Sequence, residues 1–128
     1  MAEIGINNLT HSKIDENFVK RVAKIVLKGE NKKEAGLSVV FFNRKRMREL
    51  NKKHRGKYAF TDVLSFGQGL NEIVVCPEEV KKNAGRFNLT FKKELAQTLI
   101  HGILHILGYN HSEIMKKKQN QYLNLLKL

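Results

Sequence analysis

The chain has 128 residues and carries 24 Lys and Arg against 12 Asp and Glu, a formal net charge of +12. Its length suits one domain with a modest core, and a hydrophobic share of 41 % in regular patterns excludes a disordered chain. No apolar run reaches the ~18 residues of a membrane span. The charge excess favours a polyanionic partner, with nucleic acid ahead of a membrane surface. The alternative is a basic surface without a special partner.

The single cysteine and the N-terminal segment both bear on the cellular compartment. Cys76 stands alone, so an internal disulfide is excluded, and its place in the apolar run EIVVC predicts a buried, inert thiol. The opening MAEIGINNLTHSKIDENF lacks the basic and then apolar pattern of a signal peptide. We therefore expect a cytoplasmic protein with no membrane contact.

Hydrophobic periodicity predicts strands and helices that alternate along the chain. Strands are expected at 3–9, 36–42, 63–66 and 72–76, and helices at 15–28, 44–54, from Pro77 onward, at 91–107 and at 112–127. In the last helix the candidates for burial are Ile114, Tyr122, Leu125 and Leu126. The expected fold is a single α+β domain over 1–128, with one small mixed four-stranded sheet and four to five helices.

Three of the five histidines fall within the segment HGILHILGYNH. On a helix, His101 and His105 are four residues apart, so both rings leave the same side. Gly108 is a natural C-cap that turns the chain back, and His111 follows the turn. Three imidazoles with one open position are typical of a catalytic zinc site, in which bound water ionises near neutral pH. The alternatives are a hydrogen-bonded core pair with a surface histidine, and a closed structural zinc site that includes Cys76.

The spacing also matches the metzincin protease pattern H-E-x-x-H-x-x-G-x-x-H, with one departure. Gly102 stands where those proteases have the glutamate that acts as general base. Glu94 lies two turns away on the same helical side, too far to replace it. Glu113 follows the last histidine by two residues and could approach the metal, with a solvated surface acid as the alternative. The sequence thus keeps the metal ligands and lacks the peptidase base.

The same segment resembles the H-G-x-L-H-x-x-G-Y-D-H signature of the YbeY family of bacterial endoribonucleases. LNKKHRGKYAFTDVLSF, at 50–66, is similar to the family's L-N-x-x-Y-R-x-x-x-x-P-T-D-V-L-S-F block, and EIVVC occupies the place of its G-D-I-V-I-C strand. Order and spacing match from about residue 36 onward. The departures are Asn110 for aspartate, His54 for an aromatic residue, Phe60 for proline, and Asn71 with Glu72 for Gly-Asp.

The resemblance implies a zincin-like domain whose metal-site helix helps to bind one zinc ion through His101, His105 and His111. It implies catalytic roles for Arg55 and His101, with Arg55 facing the metal cleft. The implied activity is that of a zinc-dependent, single-strand-specific endoribonuclease in ribosomal RNA maturation, at the 3′ end of 16S rRNA, and in ribosome quality control. Contact with the ribosome or a ribosomal protein is a further expectation. Either water activated at the metal or the RNA 2′-hydroxyl would attack phosphorus.

Cations crowd the segment around Arg55. The candidate RNA-binding residues are Arg44, Arg48, Lys52, Arg55 and Lys57, since a guanidinium fork pairs with two phosphate oxygens and lysines add positive charge. The alternative is a solvated helix face. Two rival functions also stay open. One is a non-catalytic RNA-binding factor of ribosome assembly with structural zinc, and the other is a metal-dependent hydrolase of peptides or amides, which the missing glutamate disfavours.

Overall fold

The structure is a computed structural model that describes residues 3–54, 63–66, 71–110 and 112–128. Strands and helices follow one another in the predicted order, and their ends lie within two residues of the predicted ones. The strands are β1 (Ile4–Asn8), β2 (Leu37–Phe41), β3 (Val63–Phe66) and β4 (Glu72–Val75). The helices in this part of the chain are α1 (Glu16–Gly29), α2 (Arg44–His54), α3 (Pro77–Arg86), α4 (Phe91–Ile106) and α5 (Glu113–Leu125).

The strands are arranged in the order β1-β2-β4-β3. The strands β1, β2 and β4 form a parallel sheet, in which Ile4 lies beside Leu37 and Val39 lies beside Ile73. The strand β3 runs antiparallel along the outer side of β4. Parallel neighbours need a crossover, and α1 provides it between β1 and β2. A single α+β domain with five helices and a three-stranded parallel sheet is confirmed within the described residues.

Side chains on the two faces of the central strand β4 enter different apolar clusters. Ile73 and Val75 join the main core, which also contains the buried sides of α1 and α4. Val74 points to the other face, where it meets the fully buried Met47 of α2 and Cys76. The predicted burial of Cys76 is confirmed, and this burial raises the pKa of its thiol. The helix α2 therefore covers the face of the sheet opposite to α1 and α4.

The burial expected for α5 is only half right. Tyr122 and Leu126 are buried as predicted. The prediction is wrong for Ile114 and Leu125, which have 64 % and 54 % of their surface exposed. The buried side of α5 runs through Met115, Tyr122 and Leu126. Ile114 and Leu125 are each one residue, or about 100° of helical rotation, away from that line. Within the ranges given above, no helix has the length and apolar character needed to cross a membrane.

Candidate functional site

The helix α4 carries the histidines and lies at the centre of the helical layer. Its start is fixed by Thr90, whose hydroxyl accepts a hydrogen bond from the Lys93 amide at 3.1 Å. It packs against α1, α3, α5 and the strand β3. Leu95, Leu99 and Ile103 anchor it with at most 2 % of their surface exposed. Neighbours on several sides set the rotation of α4, and with it the direction in which its histidines point.

His101 and His105 meet side by side near the carboxyl end of α4, as their spacing predicts. Their Nε2 atoms are 3.1 Å apart, and the ring planes are nearly perpendicular, at 83°. Both side chains are half-buried. The other ring nitrogens point to separate acceptors. Nδ1 of His101 lies 3.1 Å from Oε1 of Gln119, and Nδ1 of His105 lies 2.9 Å from the Tyr109 carbonyl oxygen.

These contacts determine which nitrogen of each ring carries hydrogen. A carbonyl or amide oxygen accepts and does not donate, so Nδ1 is the donor in both His101 and His105. In the neutral rings Nε2 is then the nitrogen that a metal ion would bind, and the 3.1 Å between the two Nε2 atoms is also the length of a hydrogen bond, which forms when one ring carries a second hydrogen on Nε2. Two nitrogens bound tetrahedrally to one zinc ion, each at ~2.0–2.1 Å, lie roughly 3.3 Å apart. The observed separation of 3.1 Å and the tautomers both fit a shared metal ion.

The remaining predicted ligand, His111, lies outside the described residues. In the part of the chain that is described, no group of three His, Cys, Asp or Glu side chains is placed to hold a metal ion. Cys76 belongs to the apolar cluster with Met47 and Val74 on the other face of the sheet. A closed structural site that uses this thiol is therefore not supported.

The turn after α4 supplies the acceptor for His105. Gly108 has a φ of +101°, a conformation that favours glycine, and its amide donates to the His105 carbonyl at 3.0 Å. The Tyr109 amide donates back to the Leu104 carbonyl, also at 3.0 Å. This predicted cap turns the chain so that the Tyr109 carbonyl faces the ring of His105. The glycine is thus needed for the orientation of the histidine as well as for the end of the helix.

A buried carboxylate that sequence reasoning missed holds this turn against the rest of the protein. Glu30 caps α1 with 8 % of its side chain exposed. It accepts hydrogen bonds from the hydroxyls of Tyr109, at 2.6 Å, and Tyr122, and its carboxylate lies 3.2 Å from Lys118 Nζ. Burial opposes ionisation, but the three donors together hold the pKa of Glu30 below its ordinary value.

The same contacts shift the pKa values of the three donors. Hydrogen bonding to the Glu30 carboxylate, aided by burial, raises the pKa of Tyr109. Burial is the larger cause of the raised pKa of Tyr122, and its hydrogen bond to Glu30 is the smaller one. The Lys118 pKa is raised by its hydrogen bond to the same carboxylate. The cluster is therefore stable as one anion, two neutral hydroxyls and one cation. No motif announces it, since Glu30 simply follows Gly29 and its partners are 79 to 92 residues away.

A cleft of about 580 Å³ opens beside His101. Its walls come from α4 and the first half of α5, and its lining residues are His101, Ser112, Glu113, Met115, Lys116 and Gln119. Ser112 caps α5 through its hydroxyl, which accepts from the Met115 amide at 3.2 Å. Glu113 is exposed and lines this cleft, so the structure brings it to the same side of the molecule as His101.

The predicted RNA-binding cations divide between described and undescribed residues. Arg44 serves first to attach α2 to α3, because its amide donates to Glu78 at 3.1 Å and its guanidinium lies 3.5 Å from Glu79. Arg48 and Lys52 are exposed on α2. The other two predicted RNA-binding residues, Arg55 and Lys57, lie outside the described residues, as does Phe60, one of the departures from the family pattern.

Comparison with known proteins connects these features to one family. The family model described as Endoribonuclease YbeY matches residues 5–127. A relative of that name from Petrotoga mobilis is 40 % identical and covers 94 % of this chain and 92 % of its own. One from a Thermotoga species is also 40 % identical, covering 87 % and 79 %. The solution structure of a Thermotoga maritima protein matches with a TM-score of 0.69 at 31 % identity, covering 96 % and 87 %. The region matched by the family model contains the whole histidine segment.

Proposed function

This chain belongs to the YbeY family of endoribonucleases, and we propose that it is a zinc-dependent enzyme that cleaves single-stranded RNA. Its role would be ribosomal RNA maturation at the 3′ end of 16S rRNA, together with ribosome quality control. The observation that carries the metal-dependent part is the pair of Nε2 atoms, 3.1 Å apart, in rings whose Nδ1 atoms already donate elsewhere. We propose residues 1–128 as one catalytic domain.

The chain's own residues would hold the metal and the substrate. His101 and His105 would bind zinc through Nε2, and we propose His111 as the third ligand. Such an ion supplies positive charge to the phosphoryl oxygens and activates a nucleophile. Arg55 would pair with the scissile phosphate, where its planar fork stabilises the extra negative charge that develops on phosphorus. The cations of α2, which ends directly before Arg55 in the sequence, would attract the RNA backbone.

The central experiment compares His105→Ala with His11→Ala, since His11 is an exposed histidine outside the segment. We expect about one zinc per chain in the wild type and in His11→Ala. His105→Ala should lose most of its zinc and more than ~100-fold of its cleavage of single-stranded RNA, since removing a ligand costs more than removing a residue that orients one. Full zinc content and activity in His105→Ala would overturn the proposed metal site.

The variant Arg55→Ala distinguishes the proposed enzyme from the rival function, a non-catalytic assembly factor. In the enzyme, Arg55→Ala lowers cleavage while zinc content stays unchanged. In a non-catalytic factor with structural zinc, RNA processing is indifferent to this change, and His111→Ala unfolds the protein. A peptide library offered to the zinc-loaded protein tests the third function, for which the chain lacks the usual general base at Gly102.

The nucleophile can be identified with one altered substrate. An RNA oligonucleotide with a single deoxyribose at the scissile position lacks the attacking 2′-hydroxyl. Continued cleavage there means that water attacks phosphorus, whereas a complete block at that position alone means that the 2′-hydroxyl attacks.

A further inference from the structure

A polar side chain of α5 contacts the histidine pair. Gln119 lies half-buried in the middle of α5, with its Oε1 atom 3.1 Å from His101 Nδ1. The helix around it is firmly attached, because Met115 and Tyr122 are 2 % and 3 % exposed. Lys118, the preceding residue, lies 3.2 Å from the Glu30 carboxylate. The core contacts and the Glu30 cluster together fix the position of the Gln119 amide beside α4.

We propose that Gln119 is a positioning residue, which holds His101 in the tautomer and ring orientation that bind the metal. The inference deepens the proposed function and rests on it. By accepting the Nδ1 hydrogen, the amide oxygen leaves Nε2 unprotonated and directed toward His105. A partner at the outer nitrogen of a ligating imidazole raises its basicity and fixes its rotation, and its loss typically costs 10–100-fold in metal affinity.

The two histidines differ in how their orientation is secured. His105 donates to the backbone carbonyl of Tyr109, an acceptor that no substitution removes. His101 depends on a side chain from another helix, which substitution can remove or strengthen. An amide is a weaker acceptor than a carboxylate, so Gln119 gives the site an intermediate metal affinity. The identity of residue 119 therefore sets how tightly the site holds its metal.

The test is a series of metal affinities, measured by competition with a chelator whose affinity is known. Gln119→Leu keeps the size of the side chain and removes the acceptor, and we expect zinc binding ~10–100-fold weaker. Gln119→Glu supplies a carboxylate, and we expect binding tighter than in the wild type. Gln121 is an exposed residue of the same type on the same helix, so Gln121→Leu and Gln121→Glu are matched controls for stability and charge.

A second measurement uses the metal-free protein and requires no activity. At a pH where imidazole is neutral, long-range ¹H–¹⁵N spectra distinguish hydrogen on Nδ1 from hydrogen on Nε2. The wild type and Gln121→Leu should show His101 with hydrogen on Nδ1. Gln119→Leu should shift His101 toward the other tautomer and leave His105 unchanged, since the acceptor of His105 is intact.

The outcomes separate this inference from the proposed function. Failure of the wild type to bind zinc overturns both. Tight zinc binding that is equal in the wild type, Gln119→Leu and Gln119→Glu overturns the positioning role and leaves the metal site standing. An increase in affinity in Gln121→Glu that equals the increase in Gln119→Glu attributes the gain to charge alone, and it also overturns the role of residue 119. The positioning role is supported if zinc affinity rises from Gln119→Leu through the wild type to Gln119→Glu while the two Gln121 variants bind zinc as the wild type does.

Discussion

The proposed function uses two regions of the molecule, the carboxyl end of α4 and the helix α2, and their functional side chains differ in burial. His101 and His105 are half-buried, and each has a fixed acceptor for Nδ1. The cations Arg48 and Lys52 are exposed, on a helix anchored by the fully buried Met47. The difference follows from the chemistry. A metal ligand needs one orientation and therefore buried polar partners, whereas a phosphate is attracted by charge at a distance and does not require its cations to be buried.

The largest effect on stability is expected where α2 meets the sheet. Met47 packs with Val74 and Cys76, flanked by Phe42 and Leu50. Met47→Ala leaves a cavity there and should lower the free energy of unfolding by ~2–5 kcal/mol. Urea denaturation measures this loss, and Met47→Leu, which nearly conserves volume, should cost less than ~1.5 kcal/mol. Equal losses in the two variants would show that α2 is not anchored through this contact.

The next largest effect on stability is expected at the end of α4, in the cluster that Glu30 forms with Tyr109, Tyr122 and Lys118. Glu30→Gln replaces a carboxylate that accepts from Tyr109, Tyr122 and Lys118 with an amide that holds them less well. We expect a loss of ~1–3 kcal/mol in the free energy of unfolding, as for other buried hydrogen bonds to charged groups. Glu3→Gln, an exposed acid on the same chain, is the control and should be neutral. A neutral Glu30→Gln would mean that the cluster adds nothing to stability.

The same carboxylate predicts a pH dependence. The pKa of Glu30 is lower in the folded protein than its ordinary value, so its stabilising effect is complete above the unfolded pKa of ~4.3. It is lost as the pH falls through the folded pKa. The difference in unfolding free energy between the wild type and Glu30→Gln should therefore be constant near neutral pH and shrink below ~pH 4. A difference that grows in acid would contradict the lowered pKa.

Local patterns predicted the elements and the histidine pair, because both depend on spacing along one segment. A separation of four residues places His101 and His105 on the same face of a helix, one turn apart. Glu30 and Gln119 could not be predicted in this way. Each acts through a partner on another element, and in the sequence each is an ordinary polar residue of a helix end or face. Only the packing of α1 and α5 against α4 brings them to the histidines.

The prediction of which α5 residues are buried was wrong in part for a related reason. Its apolar residues allow two neighbouring stripes, one through Ile114 and Leu125 and one through Met115 and Leu126. The sequence does not distinguish them, since both have helical periodicity. The buried Tyr122, whose hydroxyl reaches Glu30, lies on the second stripe. A tertiary hydrogen bond therefore accompanies the helix rotation that leaves Ile114 and Leu125 in solvent.

The smallest expected effect tests whether the cations of α2 attract RNA as a set. Each phosphate neutralised on a single strand contributes ~0.7 to the slope of log affinity against log salt, so the double change Arg48→Gln with Lys52→Gln should lower that slope by ~1.4. Lys24→Gln with Lys28→Gln removes the same charge from exposed positions on α1, on the opposite side of the sheet. Affinities of uncleavable RNA, measured across salt concentrations, give both slopes. An equal fall in the two variants would mean that RNA responds to net charge alone, and that α2 is a solvated face like any other.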